Sequence, residues 1–244
     1  MISLMLCAGY ATRMYPLTEQ FPKPLLPVGD STILTRLIQD LDSIEQIERH
    51  VVVSNHKFIG QFESWAKQLS IKKPLVVLDD GSTDNATRLG AVRDIQFAID
   101  GLSLDDDLLV TAGDNLLTFS LGALVQESLR QSSSMVMCYE ELDQAAFRRS
   151  GVLVKDDQGR VLSMVEKPEN PPSHFAVPPF YLYLRQDLPL IAQAISDGAA
   201  TDAPGSLVSY LCSRTRICAL PMPGQRIDVG DIQGYERIKA QFNV

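Results

Sequence analysis

Histidine is scarce in this 244-residue chain, which has three, and tryptophan occurs once. His50, His56 and His174 stand apart from one another and form no metal-ligand spacing, so they are expected to be structural or exposed. The four cysteines, Cys7, Cys138, Cys212 and Cys218, are equally scattered. None pairs at the short spacing of a zinc or redox motif, and most sit in apolar runs that suit a small buried side chain. Positive charge is in deficit, with 22 Lys and Arg against 30 Asp and Glu for a net −8. A surface of that sign repels nucleic acid and anionic membranes, although cations concentrated at one point would still hold a small anion. The apolar start at 1–7 has no basic leader and is too short for a signal peptide or a membrane span. A reduced, cytoplasmic protein with neither nucleic-acid nor membrane partners is expected.

Other absences narrow the chemistry. No Gly-Lys-Ser/Thr follows a glycine-rich turn, which excludes a Walker A loop, and the glycines of a dinucleotide fingerprint are missing. No Ser-His or Cys-His pair suggests a covalent intermediate. There is no internal repeat. What remains is an ordinary globular mix, 45% hydrophobic and 21% charged, long enough for one large domain or two small ones.

Short apolar runs alternate with amphipathic stretches, the pattern of an α/β sheet with helical crossovers. Strands are expected at 3–7, 50–54, 75–78, 108–111, 135–139, 152–155, 161–165, 181–184 and 217–220. Several are apolar throughout, as for strands covered on both faces. Helices are expected at 31–42, where Ile33, Leu34, Leu37, Ile38 and Leu41 form one stripe, and at 85–99, with Leu89, Val92, Ile95 and Ile99 in register. A last helix at 231–242 has Asp231 as its cap, with Tyr235, Ile238 and Phe242 facing the core. Trp65 falls in a further helical segment with Phe62. The segment 168–179 is rich in proline and reads as an ordered loop. Beyond Ser133 strands crowd together and helices become sparse, suggesting a single domain over 1–244, one continuous fold with a first ligand-binding half at 1–133 and an acceptor-binding half at 134–244.

The most informative segment follows the first strand: Leu6-Cys7-Ala8-Gly9-Tyr10-Ala11-Thr12-Arg13-Met14-Tyr15-Pro16-Leu17-Thr18, then Phe21-Pro22-Lys23-Pro24-Leu25-Leu26-Pro27-Val28. Gly9 and Ala11 are small enough for a ligand to approach the backbone, whose N–H groups can cradle phosphate oxygens. Arg13 and Lys23 add cations, and the prolines stiffen the segment between them. A strand-to-helix turn with solvated basic residues would show the same local pattern at 9–13.

The whole run is more specific. It resembles the signature of the sugar-phosphate nucleotidyltransferases (NDP-sugar pyrophosphorylases), Leu-x-Ala-Gly-x-Gly-Thr-Arg-x-x-Pro-Leu-Thr followed by Pro-Lys-Pro-Leu-Leu-Pro-Val. The likeness is to the short, glucose-1-phosphate thymidylyltransferase-like form without an appended C-terminal β-helix. Ala11 stands where the family usually has its second glycine. The resemblance implies a Rossmann-like three-layer α/β/α nucleotide-diphospho-sugar transferase fold with a mixed, mainly parallel sheet. It also implies a nucleotide site built from Leu6, Ala8, Gly9, Tyr10, Ala11, Thr12 and Arg13.

Later segments resemble the family in the same order. Leu109-Val110-Thr111-Ala112-Gly113-Asp114-Asn115 puts a carboxylate at the carboxyl end of a strand, where open α/β sheets bind ligands. The resemblance makes Asp114 a metal- and nucleotide-binding residue. Ser150-Gly151-Val152, Val165-Glu166-Lys167-Pro168 and Pro178-Pro179-Phe180-Tyr181 resemble acceptor-binding elements. They imply acceptor contacts from Gly151, Glu166, Lys167 and Tyr181, with Lys23 shared between acceptor and catalysis. Ser150 replaces an aromatic residue and Pro178–Pro179 a glycine. Arg226-Ile227-Asp228-Val229-Gly230 resembles the family's Asp-x-Gly, with Asp228 as second metal ligand. The base-recognition segment matches least; Gly90 and Ala91 align, and no residue names the base.

The function implied is in-line transfer of a nucleotidyl group from a nucleoside triphosphate to a phosphorylated small molecule, a sugar 1-phosphate above all, with release of pyrophosphate. Arg13 and Lys23 would be catalytic, and Mg²⁺ would be held by Asp114 and Asp228. A CTP-dependent enzyme acting on phosphocholine or a phosphonate, and a non-catalytic nucleotide- or sugar-phosphate-binding protein, are the alternatives. Acceptor-side loops could serve as a homo-oligomer interface.

Overall fold

A computed structural model describes residues 1–199 and 202–242, apart from the Asp228 side chain. In chain order the first elements are β1 (Ile2–Leu6), β2 (Pro27–Val28), β3 (Ser31–Thr32), α1 (Ile33–Ser43), β4 (Arg49–Ser54), α2 (Ile59–Gln68) and β5 (Leu75–Asp79). They are followed by α3 (Ala91–Leu102), β6 (Leu108–Ala112), β7 (Asn115–Leu117), α4 (Gly122–Gln131), β8 (Ser134–Glu140), α5 (Gln144–Phe147), β9 (Gly151–Lys155) and β10 (Val161–Glu166). The last are β11 (Phe175–Val177), β12 (Phe180–Tyr183), α6 (Pro189–Ser196), α7 (Pro204–Leu211), β13 (Ile217–Pro221), β14 (Arg226–Asp228) and α8 (Ile232–Phe242).

Two compact units share these elements. One comprises Met1–Arg88, Ala112–Leu121 and Gly224–Val244, the other Leu89–Thr111 and Gly122–Pro223. In the first unit β1, β4 and β5 run parallel, with Leu4 opposite Val51 and Val51 opposite Val76. Leu4, Met5, Val51, Val52 and Val53 have no exposed surface, which explains why these strands read as unbroken apolar runs. A two-stranded ribbon, β7 against β14, is antiparallel and sets Asp228 opposite Asn115. Around it Met14, Leu26, Val28, Ile33, Leu116, Val229, Tyr235 and Ile238 close a second apolar cluster.

In the second unit β6, β12, β8, β11, β9 and β10 are neighbours in that order and antiparallel, while β13 joins β8 in parallel. The sheet pairing of the chain is therefore mixed, on an α/β framework, as expected. Among the described residues no helix is long and apolar enough to cross a membrane.

Every expected strand is present to within a residue or so. The helix expected at 31–42 starts later because Thr32 caps it, its Oγ1 accepting the Thr35 N–H at 3.1 Å, and Ser31 pairs in β3 instead. That expected at 85–99 is α3, beginning only at Ala91. Asp84 Oδ1 accepts the N–H groups of Ala86 and Thr87 and winds 84–87 into a separate turn, and Gly90 has φ 92°, outside the helical range. Asp231 does cap α8, accepting the Gly234 N–H at 2.6 Å. Phe242 does not reach the core; it is 37% exposed, with Arg36 packed over its ring. Within the expected loop 168–179, Phe175–Val177 forms a strand between β8 and β9, a pairing no local pattern announces.

Candidate active site

The loop after β1 is held by its carbonyl groups. Buried Asn55, just past β4, donates from Nδ2 to the Ala8 carbonyl at 3.0 Å, and Thr18 Oγ1 donates to the Ala11 carbonyl at 2.8 Å. Tyr10 Oη reaches back to the Ser82 carbonyl at 2.9 Å. Among the described residues none accepts the backbone N–H groups of Gly9 to Arg13. A loop with its carbonyls turned inward and its N–H groups unclaimed is built to take anionic oxygen. Ala11 sits in the left-handed region at φ 45°, ψ 42°, the conformation that favours glycine.

The loop opens on a cavity of about 480 Å³ that gathers Leu6, Gly9, Tyr10, Ala11, Thr12, Arg13, Lys23 and Asp114. Arg13 is exposed on its rim. Lys23, in a single turn stiffened by Pro22 and Pro24, is 9% exposed. Its Nζ lies 2.6 Å from Asp114 Oδ2. The other carboxylate oxygen, Oδ1, accepts from Asn115 Nδ2 at 2.9 Å, and Arg226 Nη1 donates to Asn115 Oδ1 at 2.9 Å. Behind Asp114 the chain must be glycine, because a Cβ on Gly113 would lie 2.3 Å from Cys7 Sγ. Burial, aided by the Asp114 charge, pushes the Cys7 thiol well above its usual range, so it is an inert wall rather than a nucleophile.

In the second unit Gly151 and Glu166 face each other across β9 and β10. The Glu166 carboxylate fits against two glycines. A Cβ on Gly205, in the first turn of α7, would lie 2.0 Å from Glu166 Oε2, and one on Gly151 would lie 3.2 Å from it. Burial raises the Glu166 carboxyl from its ordinary value, with Lys167 opposing and Asp202 adding to the rise. Lys167 is exposed at φ 48° and donates its N–H to the Ser150 carbonyl at 3.1 Å. Tyr181 lies inside β12, 4% exposed, its ring parallel to that of Tyr183.

The family model described as nucleotidyl transferase matches residues 2–243 of this chain. The chain belongs to that family. One relative, the UTP–glucose-1-phosphate uridylyltransferase AglF of Haloferax volcanii, is 28% identical over 94% of this chain and 91% of its own length. A glucose-1-phosphate adenylyltransferase of Fervidobacterium nodosum is 23% identical over 96% of this chain, which spans 59% of that longer protein. Among solved structures, a UDP-glucose pyrophosphorylase complexed with UDP-glucose superposes with a TM-score of 0.83 at 19% identity, covering 99% of this chain and 97% of the other. A UTP-bound UGPase from Acinetobacter baumannii gives 0.78 at 15% identity, covering 99% and 92%. At such identities the structures establish the shared fold.

In this nucleotidyl transferase most of the residues marked for the nucleotide line one cavity, while Ala8 stands behind it, 5% exposed. Gly90 heads α3 in the second unit. The Asp228 side chain lies outside the described residues, but its backbone pairs with Asn115, next to Asp114. Asn85 and Arg88 line the cavity without having been singled out from the sequence. The signal for them was their place just before Gly90 and Ala91, in the stretch aligned with the base-recognition segment. A Ser–His–Asp series does exist, Ser3 to His50 at 2.7 Å and His50 to Asp42 at 3.2 Å, but Ser3 is fully buried and cannot meet a substrate. Among the described residues no three His, Cys, Asp or Glu gather into a metal cage. Asp114 is a hard oxygen donor on the cavity wall, which suits a cation that takes one or two carboxylates and completes its shell with phosphate and water.

Proposed function

We propose that this nucleotidyl transferase condenses a nucleoside triphosphate with a sugar 1-phosphate to give an NDP-sugar and pyrophosphate. The observation that carries the reading is the cavity in which a loop of unclaimed N–H groups, Arg13 and buried Lys23 converge beside Asp114. Such a concentration of donors on a chain of net −8 calls for a compact polyanion. The relatives named above differ in base and share glucose 1-phosphate in their names, which supports that acceptor class and leaves the base open.

An oxygen of the acceptor phosphate attacks the α-phosphorus in line, the bond to the bridging oxygen breaks, and pyrophosphate leaves with the electron pair. The loop amides and Arg13 hold the departing phosphates. Lys23 neutralises charge growing on the transferred group. In the part at 134–244, Lys167 holds the acceptor phosphate, while Gly151 and Glu166 receive the sugar and Tyr181 backs them. Asp114 and Asp228 would hold a divalent cation, Mg²⁺, which would supply positive charge to the reacting phosphates. No covalent intermediate is needed, and alignment of two bound anions can contribute about 7–11 kcal/mol. Free nucleotides and the four unpaired cysteines fit a cytoplasmic site of action.

The test is a matrix of the common nucleoside triphosphates against sugar 1-phosphates and phosphocholine, read as pyrophosphate released. Turnover with a sugar 1-phosphate is expected. Turnover with phosphocholine alone would replace the acceptor assignment, and no pyrophosphate from any pair would leave a binding protein.

A further inference from the structure

We propose that Arg226 is a positioning residue which, acting through Asn115, fixes the Asp114 carboxylate and thereby sets how tightly a divalent cation is held. The inference rests on Asp114 being a metal ligand in the proposed function. Arg226 stands in β14 opposite Leu117 of β7, and its Nη1 donates to Asn115 Oδ1 at 2.9 Å. A guanidinium has donors only, so the oxygen of the Asn115 amide must face it. The amide nitrogen then faces Asp114 Oδ1 at 2.9 Å, with the Ala112 carbonyl at 3.3 Å. Lys23 holds the other carboxylate oxygen at 2.6 Å. Both oxygens are thus anchored from opposite sides, and each keeps lone-pair capacity for a cation.

Asn115 is 1% exposed, so its amide cannot turn to water. Without Arg226 its oxygen would lose a charge-assisted donor, and a flipped amide would set acceptor against acceptor at Asp114. Partners that orient a metal ligand commonly change metal affinity by about 10–100-fold when removed.

A purely structural role, tying β14 to β7, makes a different prediction. The variants are Arg226→Met, which keeps length, Arg226→Lys, Asn115→Leu, the Arg226→Met/Asn115→Leu double, and Asp114→Asn. Bound Mn²⁺ is counted from loss of the free-ion EPR signal as the metal is titrated into each protein, alongside melting temperature. Arg226→Met is expected to weaken Mn²⁺ about 10-fold. Arg226→Lys should recover part of that, since an ammonium can still donate to Asn115. The double variant should be no worse than Asn115→Leu, because the arginine acts through the amide. Wild-type Mn²⁺ affinity in Arg226→Met, or effects that multiply in the double variant, would overturn the proposal. Wild-type affinity in Asp114→Asn would instead remove its premise, the metal assignment itself.

Discussion

Ala11 holds a left-handed backbone, φ 45° and ψ 42°, with a methyl group where a hydrogen would be relaxed. Left-handed geometry costs an L residue roughly 1–2 kcal/mol, partly offset by about 0.5–1 kcal/mol more backbone entropy lost by glycine. Ala11→Gly is therefore expected to stabilise the fold by up to about 1 kcal/mol, a rise of about 2–4 °C for a chain of this size. Scanning calorimetry checks it, and a lower melting temperature would show that the methyl has a packing role. That Ala11 departs from a glycine position was legible in the sequence; that the position is left-handed was not, because no neighbouring residue dictates it. Lys23 and Asp114 were likewise legible one at a time. Their contact spans 91 residues of chain and is set by tertiary packing alone.

At the scale of elements, apolar runs marked the strands well because burial on both faces leaves no room for polar residues. The short strands β7, β11 and β14 were illegible, since three residues carry no period and owe their pairing to distant partners. The junction of β9, β10 and α7 belongs to that illegible class. Gly205 lies in the first turn of α7, and the side chain it lacks leaves the space that admits the Glu166 carboxylate. Gly205→Ala should push that carboxylate aside, its Cβ falling 2.0 Å from Oε2. The expected result is a raised acceptor KM with the triphosphate KM unchanged, and equal effects on both would unlink Glu166 from the acceptor. A second junction joins β1, β4 and α1 through His50, which is fully buried between Ser3 and Asp42. Burial lowers its pKa below 6.5 despite the opposing Asp42 charge. Asp42 itself is held below 3.8, where burial is outweighed by the Lys72 and Lys73 N–H groups and His50. In both cases the unfolded chain takes up the proton first as pH falls. Stability contributed here is full above about pH 6.5, declines below it as His50 resists charging, and declines again below about pH 3.8. Urea midpoints between pH 8 and 5 should fall for the wild type and fall less for His50→Gln; a wild-type midpoint that rises toward pH 5 would reverse the sign.

Across the whole molecule, sequence order and compact units differ. The unit holding the cavity draws on Met1–Arg88, Ala112–Leu121 and Gly224–Val244, so its parts are legible only through a family resemblance that spans the chain. The pairing of β14 with β7 matters most for chemistry, because it places Asp228 opposite Asn115 and so brings its backbone beside Asp114. Two aspartates more than a hundred residues apart in sequence thus start from neighbouring backbone positions, as one shared cation would need. Asparagine is nearly the same shape and lacks the charge, so Asp114→Asn and Asp228→Asn test charge with little change of packing. Each is expected to reduce pyrophosphate release by about 10²–10³-fold, the usual loss when one electrostatic stabiliser of a transition state is removed. The double variant should be little worse than either single one, because both carboxylates act through one ion. Chelator should abolish wild-type turnover and added Mg²⁺ restore it, with neither effect in the double variant. Losses that multiply would assign the two carboxylates to separate tasks. Undiminished turnover in chelator would mean that Lys23, Arg13 and the loop amides suffice for the phosphates, leaving Asp114 as the partner that holds Lys23 in place.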